Sequence, residues 1–172
     1  PGHFRFSVAG EPIINLEARL GFTHRGVEKL FEGRLPADAI GLSERVSGDA
    51  AFAHSLAFTR AIEKIALAAP SVYTQAVRGV CLELERLYNH VNDLGGMATD
   101  VGFSFPAAYA AVIKEALLQL NEKVSGSRYL KGANAIGAVG ITLTDEMKAA
   151  IRRTIAAIGA DIRELVGMLT GS

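Results

Sequence analysis

The sequence predicts a mainly α fold, a helical bundle with a β-hairpin at its N-terminus. From about residue 27 onward, apolar residues recur at three- and four-residue steps, the spacing of helices with one buried face. Only the first twenty residues carry short apolar runs with partial alternation, which is the spacing of strands. A chain of 172 residues that is 49% hydrophobic has enough apolar surface for one core of ordinary size.

Each element has its own signal. His3–Ala9 and Ile13–Leu20 are the two arms of the hairpin, with Gly10-Glu11-Pro12 as the turn. Val27, Leu30 and Phe31 fit a short helix that ends near Gly33, with Pro36 beyond it. Asp49 is placed to cap a helix whose apolar positions run from Phe52 to Ile65, and Pro70 stops it. Ser71 caps the next helix, whose stripe (Tyr73, Val77, Cys81, Leu84, Tyr88, Val91) is the clearest and ends at Gly95-Gly96. Pro106 sits where a first-turn proline is tolerated, ahead of a helix through Val124. Residues 125–144 hold Gly126, Gly132, Gly137 and Gly140 without a sustained period and read as a structured loop. Thr144-Asp145-Glu146-Met147 then opens a last helix with an apolar face from Met147 to Leu169. The expected organisation is a single domain, 1–172: hairpin 1–20, helical core 21–124, Gly-rich loop 125–144 and C-terminal helix 145–172. About four helices packed antiparallel bury these stripes. The chain stops at Gly171-Ser172 without a closing feature, so a fragment of a longer subunit is expected.

Composition excludes several classes of function. Lys plus Arg and Asp plus Glu are both 18, so no cationic surplus points to nucleic acid. No apolar run approaches the roughly 18 residues of a spanning helix, and the start lacks the layout of a signal peptide. A single cysteine, Cys81, leaves no internal disulfide and no cluster held by several thiolates. His3, His24, His54 and His90 lie too far apart for the usual metal-ligand spacings. GxSxG, GxGxxG and P-loop patterns are absent. By periodicity alone, the charge-dense stretch His24-Arg25-Gly26-Val27-Glu28-Lys29 is a solvated helix start, and Glu83, Arg86 and His90 share the polar side of their helix.

Several segments, in order, resemble one family. His24 to Lys29 matches the HRGxEK element of the large subunits of nickel–iron hydrogenases and respiratory complex I. Glu44 to Ser55 (ERVSGDAAFAHS) resembles the membrane-bound hydrogenase run D-R-V-C-G-I-C-G-F-A-H-S. Arg78 to His90 (RGVCLELERLYNH) resembles the R-x-x-x-x-E-x-x-R-x-x-x-H helix of both branches. Ser125 to Arg128 and Ile136 to Val139 echo the SGAR and IGGV elements, so the resemblance runs from Gly2 to about Leu143.

The departures are as informative. The resemblance places the first cysteine pair of the hydrogenase metal site at Ser47 and Ala50, which supply no thiolate. It places the quinone-binding tyrosine of the complex I branch at Gly48 and the matching histidine at or just before Pro1. Gly140-Ile141 stands where Arg-Arg commonly follows IGGV, while Arg45 and His54 are retained as in the hydrogenase branch. The resemblance therefore implies a core subunit of a membrane-associated electron-transfer complex of the NADH dehydrogenase or formate-hydrogenlyase type, without nickel–iron catalysis. It implies no cofactor or metal held by this chain, an iron–sulfur cluster in a partner subunit, membrane subunits as further partners, and quinone as a candidate acceptor. His24, Arg25, Glu28, Arg45 and His54 are the implied electron-transfer or cavity residues. The implied location is cytoplasmic, peripheral to the inner face of the cell membrane through partner subunits. The competing expectation is a catalytically silent scaffold in such a complex. A stand-alone helical binding module explains the ordered matches least well.

Overall fold

The computed structural model describes residues 2–171. They form two compact units, divided between Gly33 and Arg34, where the sequence patterns show no boundary.

In the first unit, β1 (His3–Val8) pairs antiparallel with β2 (Ile13–Arg19), close to the expected arms. The register sets Phe4 opposite Ala18 and Phe6 opposite Leu16, so these four share one face. His3, Arg5, Asn15, Glu17 and Arg19 share the other. Every strand residue is exposed. α1 (Val27–Phe31) follows, entered through Gly26 at φ 65, a conformation that glycine adopts without a Cβ clash.

The second unit is helical: α2 (Pro36–Ser43), α3 (Ala51–Ile65), α4 (Val72–Asp100), α5 (Ser104–Ser125) and α6 (Asp145–Thr170). α4 packs on α3 and on α5, and α5 packs on α6. One core cluster joins Phe52, Leu56, Val77, Cys81, Leu84 and Val124; the other joins Tyr88, Val91, Ile113, Leu117, Ile158 and Leu165. Ser71 and Thr144 cap α4 and α6 as expected, each accepting a hydrogen bond from the amide three residues on.

Four local readings differ from the structure. Pro36 lies beyond α1 as expected, but it also opens a helix, α2, that the apolar spacing did not mark, because its missing N–H is harmless at the first position. Gly95-Gly96 does not end α4, which continues to Asp100. A Cβ at position 95 would stand 2.9 Å from the Ala110 Cβ, so this glycine serves a close helix crossing rather than a stop. The 125–144 loop contains a two-residue ladder, β3 (Asn134–Ala135) with β4 (Ala138–Val139). Asp49 does not cap α3: the N-cap is Ala50, whose side chain can accept nothing.

The short ladder is held by a buried ion pair. Arg78 on α4 and Glu63 on α3 are 2% and 4% exposed. Arg78 donates to both Glu63 carboxylate oxygens (3.0 and 2.6 Å), to Asn134 Oδ1 (2.9 Å) and to the carbonyls of Ala135 (2.7 Å) and Ala138 (3.2 Å). Glu63 also accepts from the Gly137 amide at 2.6 Å. Gly140 closes the loop under a steric constraint, since a Cβ there would lie 2.2 Å from the Gly132 carbonyl oxygen. An arginine at this position, as the resembled family commonly has, requires the backbone to move.

Arg78 holds the Glu63 carboxyl below its ordinary value of 4.5, against the opposing effect of burial. A depressed carboxyl contributes stability that is complete above its unfolded value and lost as pH falls through the folded one. Acidification below about pH 4.5 is therefore expected to destabilise the chain through this pair. Glu63→Ala, which strands the Arg78 charge, is expected to cost about 3–5 kcal/mol in denaturant unfolding at neutral pH. A loss under about 1 kcal/mol would show that solvent already reaches the pair.

Candidate functional site

The five implied residues fall on both units. In the first, the His24 Nδ1 accepts from the Gly26 amide at 3.0 Å, and its Nε2 lies 3.3 Å from a Glu28 carboxylate oxygen. His24, Arg25 and Glu28 are all exposed. In the second, Arg45 is exposed just after α2, and His54 is half-buried in the first turn of α3. Arg45 and His54 thus flank the 46–53 segment, which contains the positions of the resembled cysteine pair.

That segment is fixed from α4. Helix α3 starts without a side-chain cap of its own, leaving amides that need acceptors. The Glu85 carboxylate reaches across from α4 and accepts from the Phe52 amide (2.7 Å) and the Ala53 amide (2.8 Å). One turn further along α4, the Tyr88 hydroxyl and the Asn89 side-chain amide both donate to the Asp49 carbonyl, the latter at 2.9 Å. On the other side, Glu44 at the end of α2 accepts from the Gly132 amide at 2.7 Å. Sequence reasoning missed Glu85, Tyr88 and Asn89 as supports, although all three lie inside the quoted Arg78–His90 motif. A start without a capping side chain was the available signal: Ala50-Ala51 demands an acceptor from elsewhere.

Within the turn, the Ser47 hydroxyl donates to Asp49 Oδ1 at 2.6 Å. That bond is the main reason the Asp49 carboxyl sits below its usual range, with Lys114 on α5 adding to it. Lys114 also donates to Asn92 Oδ1 at 2.7 Å, at the edge of an open groove of about 430 Å³ between α4 and α5. Small residues, among them Gly95, Gly96, Ala107 and Ala110, line this groove.

The donor set does not suit a nickel–iron centre. Ser47 is engaged with Asp49, and Ala50 has no donor atom. Among the described residues, no three His, Cys, Asp or Glu side chains gather where they could hold a metal ion. A Cβ at Gly48, the position of the quinone-binding tyrosine, would meet nothing within 4 Å, so the site is open but offers no hydrogen-bond donor from a side chain. The matching histidine position, at or before Pro1, lies outside the described residues. No described helix is long and apolar enough to cross a membrane.

Cys81 lies between Arg78 and Glu85 on α4, fully buried. Burial, reinforced by the Glu85 charge, pushes its thiol up to about 12. A thiol reagent at pH 8 is therefore expected to label Cys81 only after unfolding, because almost no thiolate forms in the native state. Labelling of the native chain at the rate of a free thiol would show that α4 opens.

No protein-family model matches the chain. Among characterised proteins, it is 36% identical over 170 residues to hydrogenase-4 component G of Escherichia coli (strain K12), covering 98% of this chain and 31% of that protein. It is 34% identical over 170 residues to formate hydrogenlyase subunit 5 of the same organism, covering 98% of this chain and 30% of that protein. It is 29% identical over 166 residues to NADH-quinone oxidoreductase subunit 4 of Thermus thermophilus, covering 96% of this chain and 41% of that protein. The chain thus spans about a third of the length of the two E. coli relatives.

Proposed function

We propose that this chain, which belongs to the large-subunit family shared by nickel–iron hydrogenases and respiratory complex I, is part of a core subunit of a membrane-associated electron-transfer oxidoreductase complex. In this reading, electrons pass from an iron–sulfur cluster in a partner subunit to a quinone or another acceptor in a cavity rebuilt without nickel and iron. The partners are that iron–sulfur subunit and membrane subunits, which hold the chain at the inner face of the cell membrane. One observation carries the reading: Arg45 and His54 are retained at the two ends of a segment that Glu85, Tyr88 and Asn89 still hold in place. A lost site under no demand has no need of a fixed turn with its flanking charge intact. Arg45 would act by stabilising negative charge on a reduced cluster or acceptor.

A second reading, a catalytically silent scaffold, is favoured by a different observation. Ser47, Gly48 and Ala50 supply neither thiolate nor head-group donor. The two readings separate in the full-length parent, tagged in its native membranes and purified with its partners. Iron–sulfur and membrane subunits are expected to copurify, and recovery of the parent alone would defeat both readings. Arg45→Ala is then expected to lower turnover about tenfold, equal to about 1.4 kcal/mol of charge stabilisation, while the complex stays assembled. Unchanged turnover in that variant, and in His54→Ala, would favour the scaffold.

A further inference from the structure

Glu85 is 3% exposed, yet its donors are two main-chain amides, whereas the equally buried Glu63 meets a guanidinium. The strongest side-chain charge acting on it is Asp49, which has the same sign. Asp49 faces it from the turn before α3, and Cys81 and Tyr88 from its own helix. Tyr129 closes edge-on over Tyr88 at 5.8 Å between ring centroids. The nearby cation on α5, Lys114, acts on Asp49 instead. Among the described residues no ion pair joins a cation to Glu85, and a buried carboxylate so placed gains by taking up a proton.

We propose that Glu85 is a proton-uptake site whose protonation state latches the 47–54 segment. An ionised carboxylate offers an acceptor oxygen to each of the Phe52 and Ala53 amides. A proton from solvent converts one of those oxygens to a hydroxyl, a donor that no longer serves the amide facing it. One of the two bonds is released, and the start of α3 loosens beside Asp49 and His54. No electron moves in this step; the only bond formed is O–H. The inference goes beyond the electron-transfer reading and does not depend on it.

The balance of forces agrees with the geometry. Burial, the largest influence, pushes the Glu85 carboxyl up from its ordinary 4.5 and Asp49 adds to this, while the two amides and the Tyr88 hydroxyl oppose it. The folded chain therefore binds this proton more tightly than the unfolded chain does. Glu85's contribution to stability is greatest at low pH and is lost as pH rises through the folded value. This is the opposite sign to Glu63.

Amide hydrogen exchange at Phe52 and Ala53, followed in the full chain from about pH 8 to about pH 4 and corrected for intrinsic rates, tests the latch. The two amide bonds favour the ionised carboxylate, so protonation weakens them locally even as it favours the fold as a whole. Protection of these amides is expected to fall roughly fivefold to tenfold on acidification, through openings that leave Glu85 buried. Glu85→Gln removes the titrating group and is expected to give a flat profile, whereas Asp49→Asn is expected to keep the step. The same step in Glu85→Gln, or its loss in Asp49→Asn, would assign the proton elsewhere and overturn the proposal. A carbon-detected titration of the Glu85 carboxyl needs no substitution: a midpoint above 4.5 supports the site, and one at or below 4.5 removes it.

Discussion

The buried pair of Arg78 and Glu63 is the constraint on which the second unit depends. It joins α3 to α4 and fixes the ladder of the glycine-rich loop, which with only two paired residues on each strand is too short to hold itself. Desolvating both ions is expensive, and the pair survives because five donor contacts from the guanidinium and one amide to Glu63 satisfy its remaining valences. Two other buried carboxylates repeat the device. Glu44 takes the Gly132 amide and Glu85 takes the Phe52 and Ala53 amides. Main-chain groups that no regular element can pair are in each case paired by a glutamate from a neighbouring helix.

The long helices α4 and α6 were legible because their stripes are long and their starts carry local caps. Ser71 and Thr144 show this, each bonded to the amide three residues on. What was not legible depends on distant partners. Asp49 has the right chemistry for a cap, but Glu85, more than thirty residues later, occupies the role. Gly95 reads locally as a breaker, and only the nearness of Ala110 gives it a reason to stand inside a helix. The same holds for the candidate site. Family motifs led to Arg45 and His54, but the side chains that hold the turn between them emerged only from cross-helix distances. Arg78 was inside a quoted motif, yet nothing in its spacing said that it would be buried.

In the 46–53 segment, the positions that the resemblance gives to metal-binding cysteines are Ser47 and Ala50, while the turn itself is held from α4. Substituting serine and alanine for thiolates removes the ligands without touching Glu85, Tyr88 or Asn89, which grip main-chain atoms rather than side chains. Backbone anchoring is indifferent to what the turn presents. That independence serves a new role and a silent scaffold equally well, so the retained Arg45 at one end of the segment carries the argument for electron transfer.

Of the two retained residues, Arg45 is exposed and His54 is half-buried. His24, Arg25, Glu28 and Arg45 are all exposed, and in water two unit charges 4 Å apart interact by only about 1 kcal/mol. At the effective dielectric of a protein boundary the same pair is worth about 4 kcal/mol. Arg45 can tune a redox centre substantially only when another subunit covers it and excludes solvent. The apolar face of the hairpin, with Phe4, Phe6 and Leu16 each about half exposed, also needs a cover, because a two-stranded sheet is not stable with such a face in water. On the proposed reading, the chemistry of these residues is a property of the assembly rather than of this chain alone.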